Sequence, residues 1–220
     1  MFGIELLAAP ALHALVSMSK CPTGPYPEIR VRLEQHRTLY NKSKSTQELG
    51  ASDISTISPY GADKKTQTLG LMSGQVRIST NIENTARTQG SQSCLSYKKI
   101  NITIHNSPTI FIAKEIKDNR CRHNSTLVHE EKHVTTDKII LKKYTSIIRR
   151  TVRKAVSKIG TIGPIKTSDI DKTRIELSEK ISLAMKPVLD KMHNERASAQ
   201  QKVDSLREYE RLSKRCGGKF

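Results

Sequence analysis

The chain has 220 residues, a formal net charge of +17, 35% apolar and 4% aromatic residues, and no Trp. This allows one modest domain, excludes an acidic solvating chain and a Trp-rich binding platform, and leaves anionic partners open. No apolar run reaches the roughly 18 residues of a membrane-spanning helix.

Residues 2–18 are mostly apolar and read as a leader segment within 1–20. Ser17-Met18-Ser19 offers small residues before Lys20, although Glu5 interrupts the run and no basic residue precedes it. The expectation is an exported protein, periplasmic or secreted; the alternative is a first core helix of a cytoplasmic one. The remainder, 21–216, reads as a single domain, with a loop and strand part over 22–120 and a helical part over 121–216.

Residues 22–92 are rich in Ser, Thr, Gly and Pro and read as loops with short strands, such as 28–33 and 75–78. From Ser96 the pattern sharpens. Ile100, Ile102 and Ile104 alternate with polar residues, as in a half-buried strand. Asn106-Ser107-Pro108 reads as a turn and 109–113 as a second strand, so 96–113 is expected to be a β-hairpin.

A long helix is expected from about Ser125, capped by Asn124 or Ser125 and ended by Gly160, Gly163 and Pro164. Thr167 or Ser168 is expected to cap the next helix, which Pro187 should kink or split. A last helical run covers about 194–215, and the two C-terminal segments could pair as a hairpin over the first helix.

Four cysteines are present, Cys21, Cys94, Cys121 and Cys216, with no CxxC spacing. A Cys94–Cys121 bridge would close the unit around the expected hairpin, and Cys21–Cys216 would join the ends. Four free thiols in a cytosolic protein are the alternative.

Residues 129–133 form an HExxH motif, His129-Glu130-Glu131-Lys132-His133. From this composition its chance occurrence is about one in a hundred against the metalloprotease template. On a helix, residues four apart lie about 6 Å along the axis and about 40° around it. Both imidazoles can therefore reach one Zn²⁺ at about 2.0–2.1 Å. Glu130 projects beside them, where a carboxylate can take a proton from water and pass it to a leaving amine.

With this motif the chain resembles zincin-type metallopeptidases. More narrowly, it is similar to exported bacterial proteins with a predicted zinc-peptidase domain. The shared frame is a leader-like start ending near Cys21-Pro22, Cys94 before a strand, Cys121 shortly before HExxH, and the terminal run VDSLREYERLSKRC. The resemblance implies that His129 and His133 bind zinc and that Glu130 is the general base. It also implies a strand antiparallel to the substrate, for which 99–105 or 109–113 is the candidate.

A catalytic zinc needs a third protein ligand. Asp137 shares the helix face, but eight residues at 1.5 Å each put it about 12 Å from His129; a role in orienting His133 suits it better. A carboxylate from a later helix is expected instead. Glu208 is favoured, because Tyr209 beside it could donate to an oxyanion. Glu176 and Glu179 are alternatives, and His105 and His123 further ones.

The run 138–158 holds basic residues, among them Lys138, Lys142, Arg149, Arg150 and Lys158, and no acidic one. It reads as a solvated face or as a contact for an anionic surface. Specific nucleic-acid binding is not expected, because aromatic residues are sparse and no reader motif occurs.

The expectation is therefore an α+β, zincin-like fold. A small antiparallel sheet precedes a long HExxH helix, and a C-terminal helical hairpin follows. The expected function is zinc-dependent hydrolysis of peptide bonds in a peptide or protein substrate. A degenerate envelope scaffold, or a basic binding module with a fortuitous HExxH, are the rival readings.

Overall fold

The computed structural model describes residues 18–52, 59 and 67–217. The leader reading of 1–20 falls almost wholly outside the described residues. In chain order the elements are β1 (Glu28–Gln35), β2 (Leu39–Asn41), α1 (Thr46–Gly50), β3 (Gly70–Gln89), β4 (Gln92–Ile112), α2 (Arg120–Ile159), β5 (Ile162–Lys166), α3 (Ile170–Val203) and α4 (Leu206–Arg215). The α+β class stands: a sheet backed by long helices.

The sheet is built on β4. Strands β1 and β2 pair with it in parallel, one after the other along one edge, while β3 and β5 pair with it antiparallel. It is thus a mixed sheet rather than the expected small antiparallel one. Strand β5 also carries the sheet into what reads in sequence as the helical part.

The hairpin expected over 96–113 is not formed, because β4 runs unbroken through Asn106-Ser107-Pro108. Pro108 falls between the last residue paired to β1, Asn106, and the first paired to β2, Thr109. A residue without an N–H fits a strand at such a gap. The turn lies upstream at Gly90-Ser91, where Gly90 takes φ 58° and joins β3 to β4.

One irregularity keeps β4 facing the core. The β3–β4 register shifts between Glu83 and Asn84, which leaves Lys98 unpaired between Tyr97 and Lys99. The buried phase then passes from Leu95 and Tyr97 to Ile100, Ile102 and Ile104.

Helix α2 begins at Arg120, with the Asn119 side chain accepting from the Arg122 N–H, rather than at the expected Asn124 or Ser125. Gly160, at φ 63°, ends it as expected. Ile140, Leu141, Tyr144, Ile148, Val152 and Val156 form its buried stripe against β4. Antiparallel to it, α3 adds Leu177, Ile181, Met185 and Met192 to the same core. Thr167 and Ser168 lie in a short 3₁₀ turn, and α3 opens at Ile170.

Pro187 does not split α3. The carbonyl it frees, that of Leu183, belongs to a residue 69% exposed, so water can serve it. The break falls instead at Asp204, after which Ser205 leads into α4.

The disulfides are Cys21–Cys94 and Cys121–Cys216, not the expected Cys94–Cys121 and Cys21–Cys216 pairs. The unbroken β4 explains the correction. From Cys94 to its end the strand spans about 60 Å at 3.3 Å per residue, which separates Cys94 from the start of α2. No cysteine is left free. Two disulfides fit an oxidising, exported setting. Among the described residues no helix is long and apolar enough to cross a membrane.

Candidate metal centre

His129 and His133 lie one turn apart on the buried side of α2, only 5% and 7% exposed. Their rings meet edge-on with centroids 5.0 Å apart. The third member is Asp204, at the break between α3 and α4 and 5% exposed. Its Oδ1 lies 3.1 Å from His129 Nε2 and 3.2 Å from His133 Nε2, and the two nitrogens are 3.3 Å apart. In a tetrahedral site with bonds of about 2.0–2.1 Å, ligand atoms lie about 3.3 Å from one another. The three donors thus form a near-equilateral face of the size a Zn²⁺ site requires, and they are the only buried group of this kind among the described residues.

The arrangement is set by two facing stripes. His129, His133 and Asp137 recur every fourth residue on α2; opposite them run Arg196 and Gln200 on α3 and Asp204 at its C-terminal cap. Gln200 Nε2 donates to the His133 carbonyl at 3.1 Å and to Asp137 Oδ1. Its Oε1 therefore accepts from His133 Nδ1, at 2.5 Å. With the proton on Nδ1, the Nε2 lone pair of a neutral His133 points at Asp204 and His129. Burial alone lowers the pKa of His133, but Asp204 and Glu130 outweigh it and the net shift is upward. A point that attracts a proton in this way also attracts a metal cation.

Asp137 is fully buried and lies beyond the donor triangle. It takes Arg196 in two prongs, at 2.7 and 2.8 Å, and steadies Gln200. Its orienting role toward His133 is thus exercised through Gln200.

Glu208 is placed differently from Asp204. Its Oε1 lies 3.6 Å from the other imidazole nitrogen, His129 Nδ1, which is buried and makes no hydrogen bond. Glu208 already accepts from Arg211 and Lys132, and these cations, Arg211 foremost, hold its pKa down at about 2 against burial. Tyr209 lies edge-on to His129, and its hydroxyl donates to Asp204 Oδ1 at 3.4 Å.

Glu130 is 5% exposed and lies beneath the start of β3. The Met72 N–H donates to its carboxylate, and a Cβ on Gly70 would come within 2.7 Å of Glu130 Oε1. Glycine at position 70 thus makes the room that the carboxyl occupies. Burial raises the pKa of Glu130, and the two imidazoles only partly offset this. A carboxyl with a raised pKa is suited to exchanging protons closer to neutrality.

The other residues singled out in sequence lie apart from this centre. Glu179 lines a cleft with Lys98 and Arg174, and Glu176 is exposed in the same N-terminal part of α3. His123 makes a contact with Asn124, and His105 pairs with Glu34 across β1 and β4. Residues 99–105 and 109–112 belong to β4, and 99–105 and 109–111 are paired on both sides, with no free edge there for a substrate strand; Ile112 pairs with β3 alone, and Ala113 follows the strand. The basic residues of 138–158 lie on the exposed side of α2, except that Lys143 pairs with Glu195 and Arg149 donates to the Val31 carbonyl.

Sequence reading missed Asp204, Gln200 and Arg196. The available signal was their fourfold spacing, which mirrors that of His129, His133 and Asp137. Comparison with known proteins finds no matching protein family, no matching curated protein and no matching solved structure.

Proposed function

We propose that the protein is a zinc-dependent metallopeptidase, with the metal held by His129, His133 and Asp204. The observation that carries this reading is the convergence of two imidazole Nε2 atoms and one carboxylate oxygen at 3.1–3.3 Å, with the buried Glu130 carboxyl alongside on the same helix turn. Bound Zn²⁺ would supply Lewis acidity and lower the pKa of water toward about 7. The chain's own residues then have distinct tasks. Gln200 fixes the tautomer of His133, and Asp137 and Arg196 fix Gln200. Glu130, its pKa raised by burial, takes a proton from water and returns it to the leaving amine. The resemblance carried by the HExxH frame supports peptide bonds as the substrate, and the exposed basic face of 138–158 suits contact with an anionic surface.

A second reading draws on the burial of all three ligands, each under 8% exposed. Here the metal is a clasp that ties α2 to the α3–α4 break, without hydrolysis. Metal analysis and the Glu130→Gln variant separate the two. The peptidase reading expects one zinc retained at this centre in Glu130→Gln, with cleavage of an unfolded protein substrate reduced at least about a hundredfold. Unchanged cleavage overturns the role of Glu130, and zinc without cleavage in the wild type leaves the clasp.

A further inference from the structure

On the opposite face of the sheet, away from α2, three more donors come together. Strand β1 runs parallel to β4 with Glu34 in register beside His105. The His36 N–H donates to the Asn106 carbonyl at 2.9 Å, which continues the pairing one residue past the strand. Residues two apart in extended chain share a face, so His36 stands on the same side as Glu34. Glu34 Oε2 lies 3.4 Å from His105 Nδ1, and Glu34 Oε1 lies 3.7 Å from His36 Nε2. The two rings stack with centroids 6.2 Å apart and planes 23° apart. One donor atom from each residue falls within 4.8 Å of the others.

We propose that Glu34, His36 and His105 form a second binding site, for a borderline divalent cation such as Zn²⁺. Two imidazoles and a carboxylate are the donor set such cations prefer. Ser79 Oγ lies 2.9 Å from His105 Nε2. With Ser79 accepting from Nε2–H, the Nδ1 lone pair faces a carboxylate oxygen, and a cation between them satisfies both. An outer partner on the far nitrogen is the usual means of aiming a ligating histidine. Two of the three residues are exposed, so their side chains can close the remaining distance by rotation. Nearby cations include Arg77, opposite His105 on β3, Arg32, whose Nε donates to Thr103, and Arg37, next to His36 in the chain. This site does not depend on the α2 centre, whose ligands lie on the other side of the sheet.

Equilibrium dialysis of the oxidised full chain against Zn²⁺ alone tests the proposal. Two zinc ions per chain are expected, falling to one in His105→Gln or His36→Gln, and to none when either is combined with His133→Ala. Ser79→Ala should weaken the surface site about tenfold. The His36 side chain is 46% exposed, so His36→Gln leaves the fold intact. A zinc content unchanged by both His36→Gln and His105→Gln overturns the site. If the zinc then present is lost in His133→Ala, the α2 centre survives that failure.

Discussion

Asp137 and Arg196 lock α2 to α3 through a two-pronged ion pair at 2.7 and 2.8 Å, with the carboxylate fully buried. Arg196 also donates to the Gly74 carbonyl, which brings β3 into the same joint. Removing one partner of such a pair leaves the other charge uncompensated. Asp137→Ala is expected to destabilise the fold by about 3 kcal/mol, measured by urea unfolding. A loss under about 1 kcal/mol would show that the pair is not what joins the helices.

Asp204 and Glu208 offer a direct test of which carboxylate would hold a metal. Asp204→Ala should abolish zinc binding at the α2 centre, while Glu208→Gln should retain it. Metal content after dialysis reads this in the His36→Gln background, where the surface site is absent. Zinc lost from Glu208→Gln and kept by Asp204→Ala would reverse the assignment.

Gln200 connects the His129–His133–Asp204 group to the ion pair. Gln200→Leu removes the acceptor of His133 Nδ1–H and should lower zinc affinity about ten- to hundredfold. Competition with a chromophoric chelator measures the change, and an unaltered affinity would refute the orienting role.

The depressed pKa of Glu208 has a pH signature. A carboxylate with a folded-state pKa of about 2 against an ordinary 4.5 stabilises the fold at pH values above 4.5. That contribution is lost as pH falls from about 4.5 through about 2. Acid unfolding of Glu208→Gln should lack it, so the stability gap between wild type and variant should narrow over that range. A gap that stays constant would mean that Lys132 and Arg211 do not hold the carboxylate.

Non-reducing peptide mapping should recover Cys21 linked to Cys94 and Cys121 linked to Cys216. In the chain-entropy picture, loops of this length contribute about 4–5 kcal/mol each. Cys121→Ser paired with Cys216→Ser should therefore lower the melting temperature clearly. A Cys94–Cys121 peptide would contradict the unbroken β4.

What sequence could show depended on the distance over which the information acts. The HExxH pair is legible because both rings and Glu130 belong to consecutive residues of one helix, whose geometry is fixed. The alternation of Ile100, Ile102 and Ile104 is legible for the same reason. Asn106-Ser107-Pro108 misleads because its turn preference is local, whereas the gap between β1 and β2 that accommodates Pro108 is tertiary. The cysteine pairing fails as a consequence, since a hairpin would have brought Cys94 near Cys121. Asp204 is separated from His133 by most of α2, β5 and all of α3, and only the antiparallel packing of two helices brings it back.

The Cys121–Cys216 bond links the start of α2 to the end of α4, and every residue of the α2 centre lies between these two cysteines. The segment is a covalently closed ring. If a protease clips the backbone once anywhere inside it, neither piece can diffuse away, and the severed halves remain tethered until a reductant opens the sulfur link.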